Sequence, residues 1–180
     1  SFPTRRSSDL RPVNRIDKDT SGLVLAAQNG YAAPLLAQRV EKLYYAVAEG
    51  ELPLGPGVID APIGRQGESI IGRCVTPDGK PSRTEYTILK AENGLSLAAC
   101  VPVTGRTHQI RAHLASIGCP ILGDSKYGNN AANRELKLKY QALCAWELAF
   151  PKKISDPQFA ALAGKVFRAP KPWYYQQVLD

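Results

Sequence analysis

The 180-residue sequence predicts an α+β domain, and two observations carry that expectation. Strand-like runs recur along the chain, at Lys42 to Gly50, Arg83 to Ala91, Leu95 to Pro102 and Leu143 to Phe150. Two of them are joined by Glu92-Asn93-Gly94, a hairpin signal. Helical periodicity is confined to short stretches, the clearest around Thr104 to Ile117. The length fits one domain with a substantial core, and 44% apolar with 22% charged residues is ordinary for a soluble globular protein. There is no internal repeat and no sign of a second domain.

The chain opens on Ser1 to Leu10, which resembles the translation of a short-read sequencing adapter and is expected to be non-native; no methionine occurs anywhere. The expected domain is therefore 11–180, with strands missing at its N-terminal side. Next comes Asn14-Arg15-Ile16-Asp17-Lys18-Asp19-Thr20-Ser21-Gly22. Here Asp17 lies between Arg15 and Lys18, and neighbouring cations favour the charged form of a carboxylate, as suits a nucleophile. A surface turn with a local ion pair is the bland alternative. Leu23-Val24-Leu25-Ala26-Ala27 reads as a short buried strand.

Ala32 to Val40 reads as a short helix, with Pro34 tolerated in its first turn. In the strand Lys42 to Gly50, alternation sets Leu43, Tyr45 and Val47 on one face and Lys42, Tyr44, Ala46 and Ala48 on the other. One tyrosine should be core and the other should face a surface or a site. Residues 52–82 read as Gly/Pro-rich loops and short β-ribbons; Arg65, Arg73 and Lys80 make them a surface able to follow a phosphate backbone.

Thr104-Gly105-Arg106-Thr107-His108-Gln109-Ile110-Arg111-Ala112-His113-Leu114 opens a helix that should stop before Gly118, with Pro120 beyond. Ile110, Leu114 and Ile117 form its apolar stripe. Arg111 flanks that stripe, placed to meet a carboxylate from another segment. Ile121 to Gly128 is expected as a loop, 129–140 as an exposed stretch, and Pro157 to Gly164 as a short helix before an irregular end.

Net charge is +7, or +6 without the first ten residues, and the pI near 9.3 favours a polyanionic partner, RNA or DNA first. No run approaches the ~20 apolar residues of a membrane helix. Cys74, Cys100, Cys119 and Cys144 are widely spaced, which points to reduced thiols in a cytoplasmic protein and not to a zinc site.

Three segments together carry a resemblance: N-R-I-D-K-D-T-S-G-L, K-x-Y-x-A-V, and T-G-R-T-H-Q-I-R-A-H-L with G-C-P-I-L-G-D-x-x-Y-G. The sequence resembles RNA pseudouridine synthases of the RluA type over residues 11 to about 150, in the family's order. The resemblance implies a mixed, mainly antiparallel central sheet with flanking helices and loops around an active-site cleft. It implies isomerisation of uridine in rRNA or tRNA by a monomer without metal or cofactor. Asp17 falls on the catalytic aspartate, Tyr44 on the active-site tyrosine and Arg111 on the basic partner. Arg15, Arg106, His108, Gln109 and His113 are the expected RNA contacts. Asn14 stands where many relatives have histidine, and Cys144 replaces another histidine.

Two rivals remain. Asp17-Lys18-Asp19-Thr20 matches the D-x-D-x-T of haloacid-dehalogenase-type phosphotransferases, which hold Mg²⁺, but their apolar strand precedes the motif and here it follows. A catalytically inactive RNA-binding fragment is the other.

Overall fold

The computed structural model describes residues 10–65, 67, 72–172 and 174–175. All of the adapter-like stretch except Leu10 lies outside the described residues. Eleven strands are described: β1 Arg11–Pro12, β2 Ser21–Gly22, β3 Ala26–Ala27, β4 Glu41–Glu49, β5 Gly55–Asp60, β6 Ile63–Arg65, β7 Arg73–Val75, β8 Arg83–Glu92, β9 Leu95–Pro102, β10 Leu143–Ala149 and β11 Val166–Arg168. The α-helices are α1 Ala32–Ala37, α2 Gln109–Ser116 and α3 Asn130–Glu135, with a 3₁₀ helix at Pro157–Leu162.

The main sheet runs β11-β10-β4-β9-β8-β5, every neighbour antiparallel, and β2 adds a short parallel pairing to β10. The fold is α+β with a mixed, mostly antiparallel sheet. Its centre is β4, where Ala46, Val47 and Ala48 are fully buried. Small and β-branched residues suit a strand covered on both faces. The β8–β9 hairpin turns through Asn93 and Gly94 at φ 54° and 73°. Both positive angles are what a two-residue turn matching the strand twist requires.

β4 is so fully enclosed that both of its tyrosines are buried. Tyr45 packs against Trp146 and Tyr175, at centroid distances of 4.7 and 4.9 Å. Tyr44 lies on the opposite face, beside the motif around Asp17.

The segment after that motif departs from expectation. Only Ala26–Ala27 is strand, paired with Arg11–Pro12, and Val24 is 54% exposed. What anchors the segment is β2: Ser21 and Gly22 lie opposite Cys144 and Ala145, and the Leu23 N–H donates to the Ala145 carbonyl at 2.8 Å. Gly22 has φ +110°, and a Cβ there would sit 2.1 Å from the Ala145 oxygen. Only glycine allows this approach.

α2 is shorter than expected. It begins at Gln109, with His108 in a left-handed conformation (φ 56°) just before it, so only His113 of the two histidines is helical. The helix ends as a Schellman motif, with Gly118 N–H to Ala115 O and Cys119 N–H to Leu114 O, both 3.0 Å. Ile110 and Leu114 are buried, but Ile117 lies past the last turn and is 40% exposed. α3 and β11 appear where an exposed stretch and an irregular end were expected. Asn129 caps α3 by accepting from the N–H groups of Ala131 and Ala132. All four cysteines are free.

A directed hydrogen-bond chain fastens α2 to the sheet. The Arg83 N–H donates to Thr104 Oγ1 (3.1 Å), and Thr104 donates to Gln109 Oε1 (2.6 Å). Gln109 Nε2 donates to the Arg83 carbonyl (2.9 Å) and to Thr84 Oγ1 (3.0 Å). His113 Nε2 meets the Ala61 carbonyl at 2.9 Å, which only accepts, so that nitrogen carries the proton. Nδ1 then accepts from Thr84 Oγ1 at 2.9 Å. Gln109 and His113, expected to touch RNA, are buried and spend their polar atoms inside the protein. Gln109 also lines the cavity at Asp17.

Two predictions follow from these anchors. Gly22→Ala should lower stability by about 1–3 kcal/mol from the backbone conformation alone, read by urea unfolding. Burial holds the His113 pKa below its ordinary value. Its contribution is therefore complete above about pH 6.5, the unfolded value, and is lost as pH falls through the folded value. Unfolding free energy should drop between neutral and mildly acidic pH, and by less in His113→Gln.

Candidate active site

Asp17 stands on a loop whose Val13, Ile16, Leu23 and Leu25 pack against the hydrophobic cores and whose shape is set by polar contacts. Asn14 staples its two ends: Oδ1 accepts from the Leu25 N–H (2.6 Å) and Nδ2 donates to the Leu23 carbonyl (3.2 Å). The Thr20 N–H donates to the Asp17 carbonyl at 3.0 Å, closing a turn in which Asp19 takes φ 67°. Gln141 secures that turn from the start of β10, donating to Lys18 O (3.0 Å) and Thr20 Oγ1 (2.7 Å).

The cation that meets Asp17 is not a chain neighbour. Arg15 and Lys18 are exposed, whereas Arg111, 94 residues away, places Nη1 3.3 Å from Asp17 Oδ2. The Arg111 side chain is 6% exposed and that of Asp17 is 23%. Arg111 is itself gripped by Asp124, through Nε to Oδ2 (2.7 Å) and Nη2 to Oδ1 (3.0 Å). This is the bidentate fork that fixes a guanidinium plane. Asp124 is fully buried, and its Oδ1 also accepts from the N–H groups of Lys126 (2.9 Å) and Tyr127 (3.1 Å).

Burial disfavours charge on both members of this pair. For Arg111, the bonds and charges of Asp124 and Asp17 outweigh burial and hold the pKa above its ordinary value. For Asp124, burial is outweighed by the Arg111 guanidinium and the two backbone N–H groups, leaving it below the usual carboxylate range. Both stay ionised at neutral pH.

Tyr127 completes the setting of Arg111. Its ring lies 5.1 Å from the guanidinium carbon, a cation–π contact. Its hydroxyl is 2.9 Å from His108 Nδ1 and accepts from the Arg73 N–H at 3.1 Å. Burial lowers the His108 pKa, the charges of Arg111 and Lys126 add to it, and those of Asp17 and Asp124 oppose.

In front of Asp17 is a cavity of about 280 Å³. Among the described residues Asp17 is its one carboxylate, and Tyr44, Lys42, Arg15, Arg106, His108 and Ile110 also line it. Burial, then the charges of Asp17 and Cys144, push the Tyr44 phenol up to about 12, so it is protonated at neutral pH. Burial also lowers the pKa of Lys42. The volume suits one extruded nucleoside. Among the described residues, no group of three or more His, Cys, Asp or Glu side chains could hold a metal ion.

The structure thus brings Asp17, Tyr44 and Arg111 together, with Arg15, Arg106 and His108 on the rim. Sequence reasoning missed Asp124, Tyr127, Gln141, Lys42 and the staple made by Asn14. Asp124 and Tyr127 had a signal: a buried arginine requires a carboxylate, and both lie within G-D-x-x-Y-G.

Residues 2–116 match a family model described as RNA pseudouridylate synthase. The chain is 39% identical over 160 residues to an uncharacterized RNA pseudouridine synthase of Chloroflexus aurantiacus, covering 85% of this chain and 50% of that protein. It is 42% identical over 146 residues to ribosomal large subunit pseudouridine synthase D of Nitrosomonas europaea, covering 76% and 42%. Its structure is similar to that of human RNA pseudouridylate synthase domain containing 1, with a TM-score of 0.68, 26% identity and coverage of 93% and 78%. The chain spans about half the length of the curated relatives it matches. With a family match across more than half its residues, relatives near 40% identity and a shared fold, the chain belongs to the RNA pseudouridylate synthase family, in its RluA-type branch.

Proposed function

We propose that the protein isomerises specific uridines to pseudouridine in structured ribosomal or transfer RNA, acting as a cytoplasmic monomer without metal or cofactor. The observation that carries this reading is the placement of Asp17, a half-buried carboxylate facing a nucleoside-sized cavity and ion-paired from behind by a buried arginine. A uridine within folded RNA is first extruded so that its C1′ becomes accessible. Asp17 initiates cleavage of the C1′–N1 bond as nucleophile. The freed base turns while still bound, C5 attacks C1′ and breaks the bond that the Asp17 carboxylate had made there, restoring the carboxylate, and the proton lost from C5 is balanced by one gained at N1.

Arg111 keeps the Asp17 carboxylate oriented, and Asp124 with Tyr127 keeps Arg111 in place. Tyr44 supplies a ring against which the base stacks. Its hydroxyl, neutral at pH 7, takes part in proton movement only as a relay that gives up one proton as it receives another. Arg15, Arg106 and His108, on the rim, contact the RNA.

The test is to express the protein from its native gene, with and without Asp17→Asn, and to map pseudouridine chemically in total RNA. Sites should vanish with the Asn variant; retention of those sites at wild-type levels would remove Asp17 from the nucleophile's role. Tyr44→Phe keeps the ring and removes the relay, and should slow conversion by about 10²–10⁴-fold, the usual scale for a lost proton-transfer group. Asp124→Ala leaves Arg111 without its main counter-charge. It should cost about 3 kcal/mol or more of stability in urea unfolding and abolish modification.

A further inference from the structure

Beside the active-site cavity lies a second hollow of about 460 Å³, which no step of the proposed reaction uses. Its walls come from the β6–β7 ribbon, the 78–80 loop and the 105–107 segment leading into α2. Among the described residues, four cations from these separate segments line it, Arg65, Arg73, Lys80 and Arg106, against one carboxylate, Asp78. Gly105 and Arg106 line both hollows, so Arg106 is part of the wall between them.

The hollow is held by built structure. The 78–80 loop is locked to β6 by paired backbone bonds, Lys80 N–H to Ile63 O (2.9 Å) and Ile63 N–H to Lys80 O (3.0 Å). Arg106 is tethered by Nε donating to the Pro81 carbonyl at 3.2 Å. The ribbon itself is pinned to the active site, because the Arg73 N–H donates to the hydroxyl of Tyr127, the residue that covers Arg111. A cation cluster on a rigid frame, next to a cavity sized for one nucleoside, has the chemistry of a phosphodiester site. Phosphate contacts fix the register of a nucleic acid without reading its sequence.

We infer that Arg65, Arg73, Lys80 and Arg106 form a subsite for the backbone phosphate of a nucleotide adjoining the uridine held at Asp17. The inference rests on reading the first cavity as the uridine site. The subsite acts in positioning: it holds the strand so that the neighbouring nucleotide enters the cavity, and contributes affinity that falls with salt.

The experiment uses the full-length protein and a short oligouridylate, with affinity measured across a salt series. Arg65→Gln/Lys80→Gln, both exposed positions, is compared with Lys152→Gln/Lys153→Gln, an equal charge loss outside the hollow. Thermal unfolding checks that both pairs fold. The subsite pair should bind at least about tenfold more weakly and lose about 0.7–0.9 from the slope of log affinity against log salt for each phosphate released. The control pair should change far less. Equal effects of the two pairs on affinity and slope would overturn the subsite. Pseudouridine mapping in cells, run with the wild-type protein, reports separately on the isomerase reading. Pseudouridine with an unchanged subsite-pair slope sinks the subsite alone. No pseudouridine with a reduced slope sinks the isomerase reading and leaves an anion site on an RNA-binding surface.

Discussion

A guanidinium buried in the protein interior is the constraint around which the rest arranges itself. Arginine does not shed its proton, so Arg111 cannot escape the cost of burial by becoming neutral. It must be paired, and the pairing must be geometrically good. Asp124 supplies two bonds to Nε and Nη2, which fixes the plane of the group and leaves Nη1 directed at Asp17. Three chain segments far apart in sequence meet at this point: the Asp17 loop, α2, and the loop after Ile121. None of them reaches its final position without the others.

The weaker partner of that triad is the exposed one. Asp124 is enclosed and its two bonds are short, whereas Asp17 is partly open and its single bond to Arg111 is longer at 3.3 Å. This asymmetry suits the nucleophile's role proposed for Asp17. Strong bidentate pairing would satisfy its lone pairs and blunt it; a single contact orients it and leaves an oxygen facing the cavity. The loop beneath is held by hydrogen bonds from Asn14 and Gln141 and by the docking of Gly22 on β10, together with the half-buried Val13, Ile16, Leu23 and Leu25 packed against the hydrophobic cores. Because β10 pairs directly with β4, the position of Asp17 is tied to the most enclosed strand of the sheet.

What could be seen in the sequence follows from which interactions are local. The β8–β9 hairpin was legible because Asn93-Gly94 encodes its own turn, and the end of α2 because Gly118 encodes its own stop. The meeting of Arg111 with a carboxylate was foreseeable, since an arginine beside an apolar stripe needs a counter-charge. That Asp124 makes the stronger pair was not, because nothing in the 121–128 loop alone shows that Asp124 becomes fully buried. The inward hydrogen bonds of Gln109 and His113 were hidden for the same reason. Polar residues near a helix start are usually solvated, and their burial is visible only once Thr84, Thr104 and Ala61 arrive from other elements. β11 is an exposed edge strand, all three residues of it facing solvent, so no apolar alternation marks it.

The charges around the cavity bear on how a neutral substrate is handled. Uracil carries no charge, so the groups that touch it gain little from Coulomb attraction. Burial keeps Tyr44 protonated and lowers the pKa values of His108 and Lys42, and among the described residues Asp17 is the only carboxylate lining the space, with Arg15 and Arg106 beside it. In the proposed reaction the electron-poor centre that this carboxylate meets is C1′ of the nucleoside. In the proposed function the polyanionic part of the substrate is the RNA backbone, and the subsite inferred from Arg65, Arg73, Lys80 and Arg106 receives it. On the proposed reading, binding and chemistry are divided between two regions that share one wall, with Arg106 on it: fixed positive charge holds the strand, and the interior acts on the base.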